Sequence, residues 1–181
     1  MRIISGKYKS RSIKAPSSKF TRPTTDIVKE TIFNILQNRI EIEGLKVLDI
    51  YAGSGSLGLE ALSRGAAEVH FVEMNFSVFK VLLNNIKNLE AEDSCRIFKK
   101  SALKFTQTKE HETYDLIFAD PPFFEYDIHT VYKNIIGKNF LKDDGIFLIE
   151  RSIQTEKQDA EGFGINPFKK IGDSLIYWFE K

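Results

Sequence analysis

The tetrapeptide Asp120, Pro121, Pro122, Phe123 follows the apolar run 114–119, so it stands where a buried strand ends and a loop begins. A carboxylate there, beside a carbonyl stiffened by two prolines, can accept both N–H bonds of an amine and turn the nitrogen lone pair toward an electrophile. The exocyclic amine of a nucleobase needs such help, because its lone pair is delocalised into the ring. Phe123 then offers a face on which an extruded base can stack, with Phe124 and Tyr126 placed to flank it. Asp-Pro-Pro is also an ordinary turn after a strand, so the chemistry rests on what else the chain carries.

It carries V-L-D-I-Y-A-G-S-G-S-L-G-L-E over residues 47–60, an apolar strand that runs into a glycine turn and then a helix. Gly53, Gly55 and Gly58 match the spacing of a dinucleotide-binding loop, which keeps a nicotinamide enzyme in view. Asp49 argues against it. A carboxylate four residues before the first glycine would repel a pyrophosphate held at the turn, yet it suits an ammonium. S-adenosylmethionine (SAM) presents an ammonium and a sulfonium, and the glycines let the backbone pass close to them. Asp49, Ala52, Gly53, Ser54 and Gly55 are therefore the expected cofactor loop. Glu73, 24 residues after Asp49 at the end of the next strand, is placed to accept both ribose hydroxyls. Met74 can pack on the adenine face, with Ser101 and Ala102 bordering its edge. The sulfonium is already a strong electrophile, so the expected chemistry needs no metal. His70, His111 and His129 lack ligand or triad spacing and read as structural.

The elements that must position these residues alternate. Strand-like runs at 46–50, 68–73, 96–99, 114–119 and 145–150 are separated by helical ones at 56–64, 75–89, 102–108 and 127–137. That order predicts an α/β Rossmann-like fold, a mostly parallel sheet with helices on both faces. A helix is expected from Thr25 or Asp26 with an apolar stripe against the core. A final strand at 175–180 reads as the antiparallel member of a terminal hairpin, and the polar stretch 154–166, with two glycines, reads as a mobile loop.

The 181 residues suit one soluble domain that buries roughly 70% of its unfolded surface. No signal-like start or membrane-length apolar run is present, so a cytoplasmic protein without a membrane partner is expected. Cys95 is the only cysteine, which excludes an internal disulfide or a cysteine metal cluster. The net charge of +1 conceals an asymmetry: the first 25 residues carry seven basic side chains and no acid, leaving a net of −6 on the rest. Residues 1–25 therefore read as a basic extension folded as a hairpin about 5–7, and 26–181 as the main domain. Arg2, Lys7, Arg11, Lys14 and Arg22 suit a polyanion such as RNA.

The basic opening R-I-I-S-G-K-Y-K-S-R-S-I-K-A-P, then T-R-P-T-T-D-I-V-K-E-T-I-F-N-I-L, A-G-S-G-S-L-G-L-E-A-L-S-R-G-A, F-V-E-M and D-P-P-F together resemble the RsmD-type bacterial small-subunit (16S) rRNA guanine-N2 methyltransferases over nearly the whole chain. The resemblance implies methyl transfer from SAM to N2 of one guanine in small-subunit rRNA, within a ribosomal assembly particle, by a monomer. It assigns Asp49, Gly53, Ser54, Gly55 and Glu73 to SAM, Asp120 to Phe123 to the base, and the five cations to phosphates. Two departures stand out: Ser101 replaces an acid of the family pattern, and Ile171 precedes Gly172 where a tyrosine is more usual. The competing readings are an amino methyltransferase of DNA adenine or protein glutamine, and a nonenzymatic RNA-binding assembly factor that retains a cofactor fold.

Overall fold

The computed structural model describes residues 1–16, 26–122 and 127–181; Arg22, Phe123, Phe124 and Tyr126 lie outside the described residues. Seven strands form one sheet: β1 (Lys46–Asp49), β2 (Glu68–Val72), β3 (Cys95–Phe98), β4 (Tyr114–Ala119), β5 (Leu141–Ser152), β6 (Lys169–Ile171) and β7 (Ser174–Glu180), in the spatial order β3-β2-β1-β4-β5-β7-β6. The first five run parallel, and β7 lies antiparallel between β5 and β6. Among the described residues six α-helices accompany them: α1 (Asp26–Gln37), α2 (Ser56–Ser63), α3 (Phe76–Asn88), α4 (Ala102–Thr106), α5 (Ile128–Gly137) and α6 (Glu156–Phe163).

A parallel sheet covered on both faces has to be apolar on both sides of each central strand. Alternate residues of the central strands accordingly enter two cores. Val47, Leu116, Phe118, Ile146 and Leu148 pack on the side of α1, α2 and α3. Leu48, Ile117, Ala119, Phe147 and Ile149 pack on the side of α4, α5 and α6. No helix among the described residues is long and apolar enough to cross a membrane.

Two expectations about the C-terminal part of the chain change. Residues 154–166 are not a loop: a short 3-10 turn (Ile153–Thr155) leads into α6, which ends at Gly164 in the left-handed region. Of the two side chains α6 buries, Asp159 and Phe163, one is an acid. Asp159 is fully buried and accepts hydrogen bonds from Arg151 Nε (2.8 Å) and Thr155 Oγ1, with His129 Nε2 at 2.9 Å. Strand β5 is also longer than 145–150, starting at Leu141.

The N-terminal hairpin is reduced to one antiparallel bridge, Arg2 to Ser12. Residues 7–10 leave the extended conformation to wrap α2: the Lys7 and Tyr8 N–H groups donate to the carbonyl and hydroxyl of Ser63 at 2.7 and 2.9 Å. Ile3, Tyr8 and Ile13 enter the same core as α1 to α3, so this basic segment is packed onto the main domain. Gly6 explains how close the approach is. Its φ is +80°, and a Cβ there would lie 1.7 Å from the Ser63 carbonyl oxygen.

Candidate cofactor and amine site

Strand order reverses between β1 and β4: from β1 the chain proceeds outward through β2 and β3, and from β4 it proceeds the other way through β5. The carboxyl ends of strands flanking such a switch point open a crevice. Asp49 pairs in register with Phe118 on β4 and Phe71 on β2, so Asp120 and Glu73, two residues farther along those neighbours, end beside it. Residues distant in sequence thus deliver three carboxylates to one edge.

The glycine loop bends over Asp49. Gly53 (φ +55°) and Gly55 (φ +83°) both occupy the left-handed region, where L side chains are strained. The Gly58 N–H donates to Asp49 Oδ2 at 3.0 Å, and the Gly53 N–H donates to Glu73 Oε2 at 3.0 Å. Glu73 Oε1 accepts from the Asn75 N–H at 2.7 Å. Gly58 has a further role: a Cβ on it would stand 2.4 Å from Phe71 Cε1, so it lets α2 lie directly on β2. These bonds argue against the dinucleotide alternative, because they gather carboxylates at the turn, where a pyrophosphate would be repelled.

Burial sets the electrostatics. Asp49 is 2% exposed, and desolvation, followed by repulsion from Asp120 and Glu73, pushes its carboxyl up to about 7 against the help of the Gly58 hydrogen bond. Burial also raises Glu73. Carboxylates crowded in this way call for a cation. The residues therefore fit SAM on their own evidence: a cluster of acids for its ammonium and sulfonium, and no side chain within 3.9 Å of where a Gly53 Cβ would point.

The other expected site residues divide. Ala52 and Ser54 are buried in the loop, the Ala52 N–H bonded to the Val72 carbonyl at 3.0 Å. Ser101 stands at the N-terminus of α4, where its hydroxyl accepts from the Lys104 N–H at 3.3 Å, and Ala102 is buried behind it. Met74 is 59% exposed and open to a ligand. Pro121 is buried and Pro122 exposed; Phe123 lies outside the described residues. Of the cations, Arg2 reaches Asp26 at 3.5 Å and Arg11 donates to the Asn88 carbonyl, whereas Lys7 and Lys14 have no ion pair among the described residues.

Four positioning residues were not anticipated from the sequence. Glu60 is fully buried in α2 and accepts from the Ile4 and Ser5 N–H groups (2.7 and 3.0 Å) and Arg64 Nε (2.8 Å), with buried Lys29 Nζ at 3.4 Å. Desolvation lowers the Lys29 pKa despite Glu60. Asn85 of α3 clamps the backbone of Lys14 at 3.0 Å in both directions and donates to the Ser54 carbonyl at 2.9 Å, tying the basic segment to the glycine loop. Tyr51 donates to Asp127 at 2.8 Å, pinning the start of α5, just past the Asp120 loop, to the end of β1. An acid inside the apolar stretch L-G-L-E-A-L was the one available signal.

Comparison with known proteins agrees with this geometry. The family model described as Conserved hypothetical protein 95 matches residues 1–180. The Ribosomal RNA small subunit methyltransferase D of Escherichia coli (strain K12) is 35% identical over 154 residues, covering 85% of this chain and 76% of that protein. The solved structure of yhhF from Escherichia coli superposes with a TM-score of 0.83 at 30% identity, covering 100% of this chain and 97% of that one. A T. thermophilus 16S rRNA N2 G1207 methyltransferase, solved with AdoMet and guanosine, shares the fold at a TM-score of 0.67 and 23% identity, over 91% of this chain and 44% of that one. With its match running almost from end to end, the chain belongs to the Conserved hypothetical protein 95 family, the family of RsmD-type ribosomal RNA small-subunit methyltransferases.

Proposed function

We propose that the chain transfers a methyl group from SAM to the exocyclic N2 amine of one guanine in small-subunit rRNA, working as a cytoplasmic monomer on a ribosomal assembly particle. The observation that carries this reading is the meeting of Asp49, Glu73 and Asp120 beside a glycine loop at the switch point of the sheet. The named activity of the Escherichia coli relative supplies the substrate class.

SAM supplies an activated methyl group on a sulfonium. Asp49 and the loop 52–55 receive its cationic end, and Glu73 turns from the Gly53 N–H to the ribose hydroxyls. Met74 and Ala102 border the adenine. The Ser101 hydroxyl keeps its own hydrogen for a ring nitrogen while it caps α4. On the acceptor side, the Asp120 carboxylate and the Pro121 carbonyl each take one N–H of the guanine amine, and Phe123 stacks on the base. The carbon–nitrogen bond forms as the carbon–sulfur bond breaks, and Asp120 takes the departing amine proton before solvent does. Lys7 and Lys14 meet phosphates directly, as does Arg22. Arg2 and Arg11 do so on exchanging Asp26 and the Asn88 carbonyl for RNA.

The test is to incubate the protein with methyl-labelled SAM and small ribosomal subunits from a strain lacking the activity, then digest the rRNA and identify the labelled nucleoside. N2-methylguanosine at a single site is the expected product. Label in another base, or none despite SAM binding, would sink the assignment.

A further inference from the structure

Phe76 opens α3 three residues beyond Glu73, and the residue remains 54% exposed. Lys80 Nζ stands 4.4 Å and Lys99 Nζ 4.5 Å from that ring's centroid, which brings the two ammonium groups within about 9 Å of each other. Lys80 comes from the next turn of α3 and Lys99 from the turn after β3, so tertiary structure assembles the group. None of Lys80, Lys99 and the adjoining exposed Lys100 makes an ion pair among the described residues, whereas Lys46, Arg64, Arg96 and Lys142 all do. The cluster lies at the carboxyl ends of β2 and β3, on the sheet edge that carries Glu73 and Asp120.

A lone aromatic ring can hold two like charges together at its own electrostatic gain, and an anion between them would turn their mutual repulsion into attraction for it. Resting on the proposed function, we infer that Phe76, Lys80 and Lys99 form a phosphate grip for the single-stranded rRNA segment next to the target guanine. The ring is the positioning element and the two ammonium groups make the contacts. A base displaced into a site at this edge drags its flanking backbone across the same edge, and a strand carries phosphates at each step. Aromatic rings ringed by cations are the usual platform for single strands. The grip is separate from the N-terminal cations and would act at the opposite end of α3 from Arg11 and Asn88.

The experiment compares wild type with Lys80→Gln/Lys99→Gln, Phe76→Leu and Phe76→Tyr. It measures binding to unmethylated small subunits over a salt series, kcat and KM at saturating SAM, and SAM affinity by calorimetry. Loss of two phosphate contacts should cut the slope of log K against log salt by about 1.4, which is on the order of 25-fold weaker binding at 0.1 M salt. KM for the subunit should rise while kcat and SAM affinity hold. Phe76→Leu should lose part of that slope through disordered lysines, and Phe76→Tyr should restore it. An unchanged slope in the double variant, with wild type active, overturns the grip and leaves the proposed function standing. Weakened SAM binding overturns it in favour of a cover for the cofactor. Wild type that fails to methylate subunits overturns the function itself. Should the double variant not fold, Lys99→Gln, an exposed change, reads half of the same slope.

Discussion

The position of the Asp49 carboxyl at about 7 in the ligand-free chain makes cofactor binding pH-dependent in a calculable way. Below that pH the buried carboxyl is protonated and neutral, and a cationic ligand has to displace the proton before it gains the charge. Once the cation sits beside Asp49, its field favours the carboxylate and lowers the pKa. The apparent Kd then scales as one plus the ratio of proton concentration to the acid constant. With a folded pKa of about 7, that factor is about 11 at pH 6 and about 1.1 at pH 8, so the Asp49 titration alone should tighten SAM binding roughly tenfold between pH 6 and pH 8. Calorimetry in buffers of different ionisation enthalpy should show close to half a proton released per SAM bound near pH 7. Asp49→Asn keeps an acceptor for the Gly58 N–H while removing the titration, so its affinity should be flat between pH 6 and 8 and lower than wild type at pH 8. The same shift bears on stability with a definite sign. A native pKa above the unfolded value of 3.8 means the folded state holds the extra proton, so the free chain loses stability as pH rises from about 4 to 7. Over that interval the loss approaches 4 kcal/mol as an upper figure. The asparagine variant should therefore melt higher than wild type at pH 8 without ligand. A wild-type Kd that is constant from pH 6 to 8 would refute the reasoning.

Asp120→Asn should reduce kcat by at least a hundredfold with SAM affinity within a few-fold of wild type at pH 8. Because Asp120 contributes to the Asp49 shift, the same variant should also move the midpoint of the binding profile to lower pH, as calorimetry would show. Glu60→Gln leaves Lys29 buried beside an uncharged amide, and urea unfolding should report a loss of about 3 kcal/mol or more. Gly6→Ala places a Cβ inside the Ser63 carbonyl contact. It should undock residues 1–16, seen as faster limited proteolysis within that segment and a stability loss of about 2 kcal/mol.

Much of the architecture was legible because a doubly covered parallel sheet imposes strong patterns. The run Tyr114–Ala119 is apolar but for Asp115 and bounded by Thr113 and Asp120, and it is β4 from end to end. Helices α2 and α3 were readable from their glycine and asparagine boundaries. The stretch 154–166 was misread for a physical reason. Asp159 points inward to Arg151, Thr155 and His129, and with Phe163 as its one buried apolar side chain the helix has no apolar stripe to reveal it. The N-terminal segment was misread as a plain hairpin because its partner is α2, which follows it by more than fifty residues. Lys29 and Glu60 gave no local sign that they would neutralise one another in the core.

The sequence by itself determined which chemistry the chain can perform. An acid before a glycine turn, an acid at the next strand end and Asp-Pro-Pro after a third are properties of local order, because strand ends and left-handed turns are set by neighbouring residues. What only the tertiary structure decided is how those groups act on one another. Strand pairing brought Asp49, Glu73 and Asp120 to one edge, burial then moved the Asp49 carboxyl toward neutrality, α2 held the basic segment through Glu60 and Ser63, and α3 tied that segment to the glycine loop through Asn85. Desolvation and charge repulsion depend on distances across the fold, and no spacing along the chain encodes them.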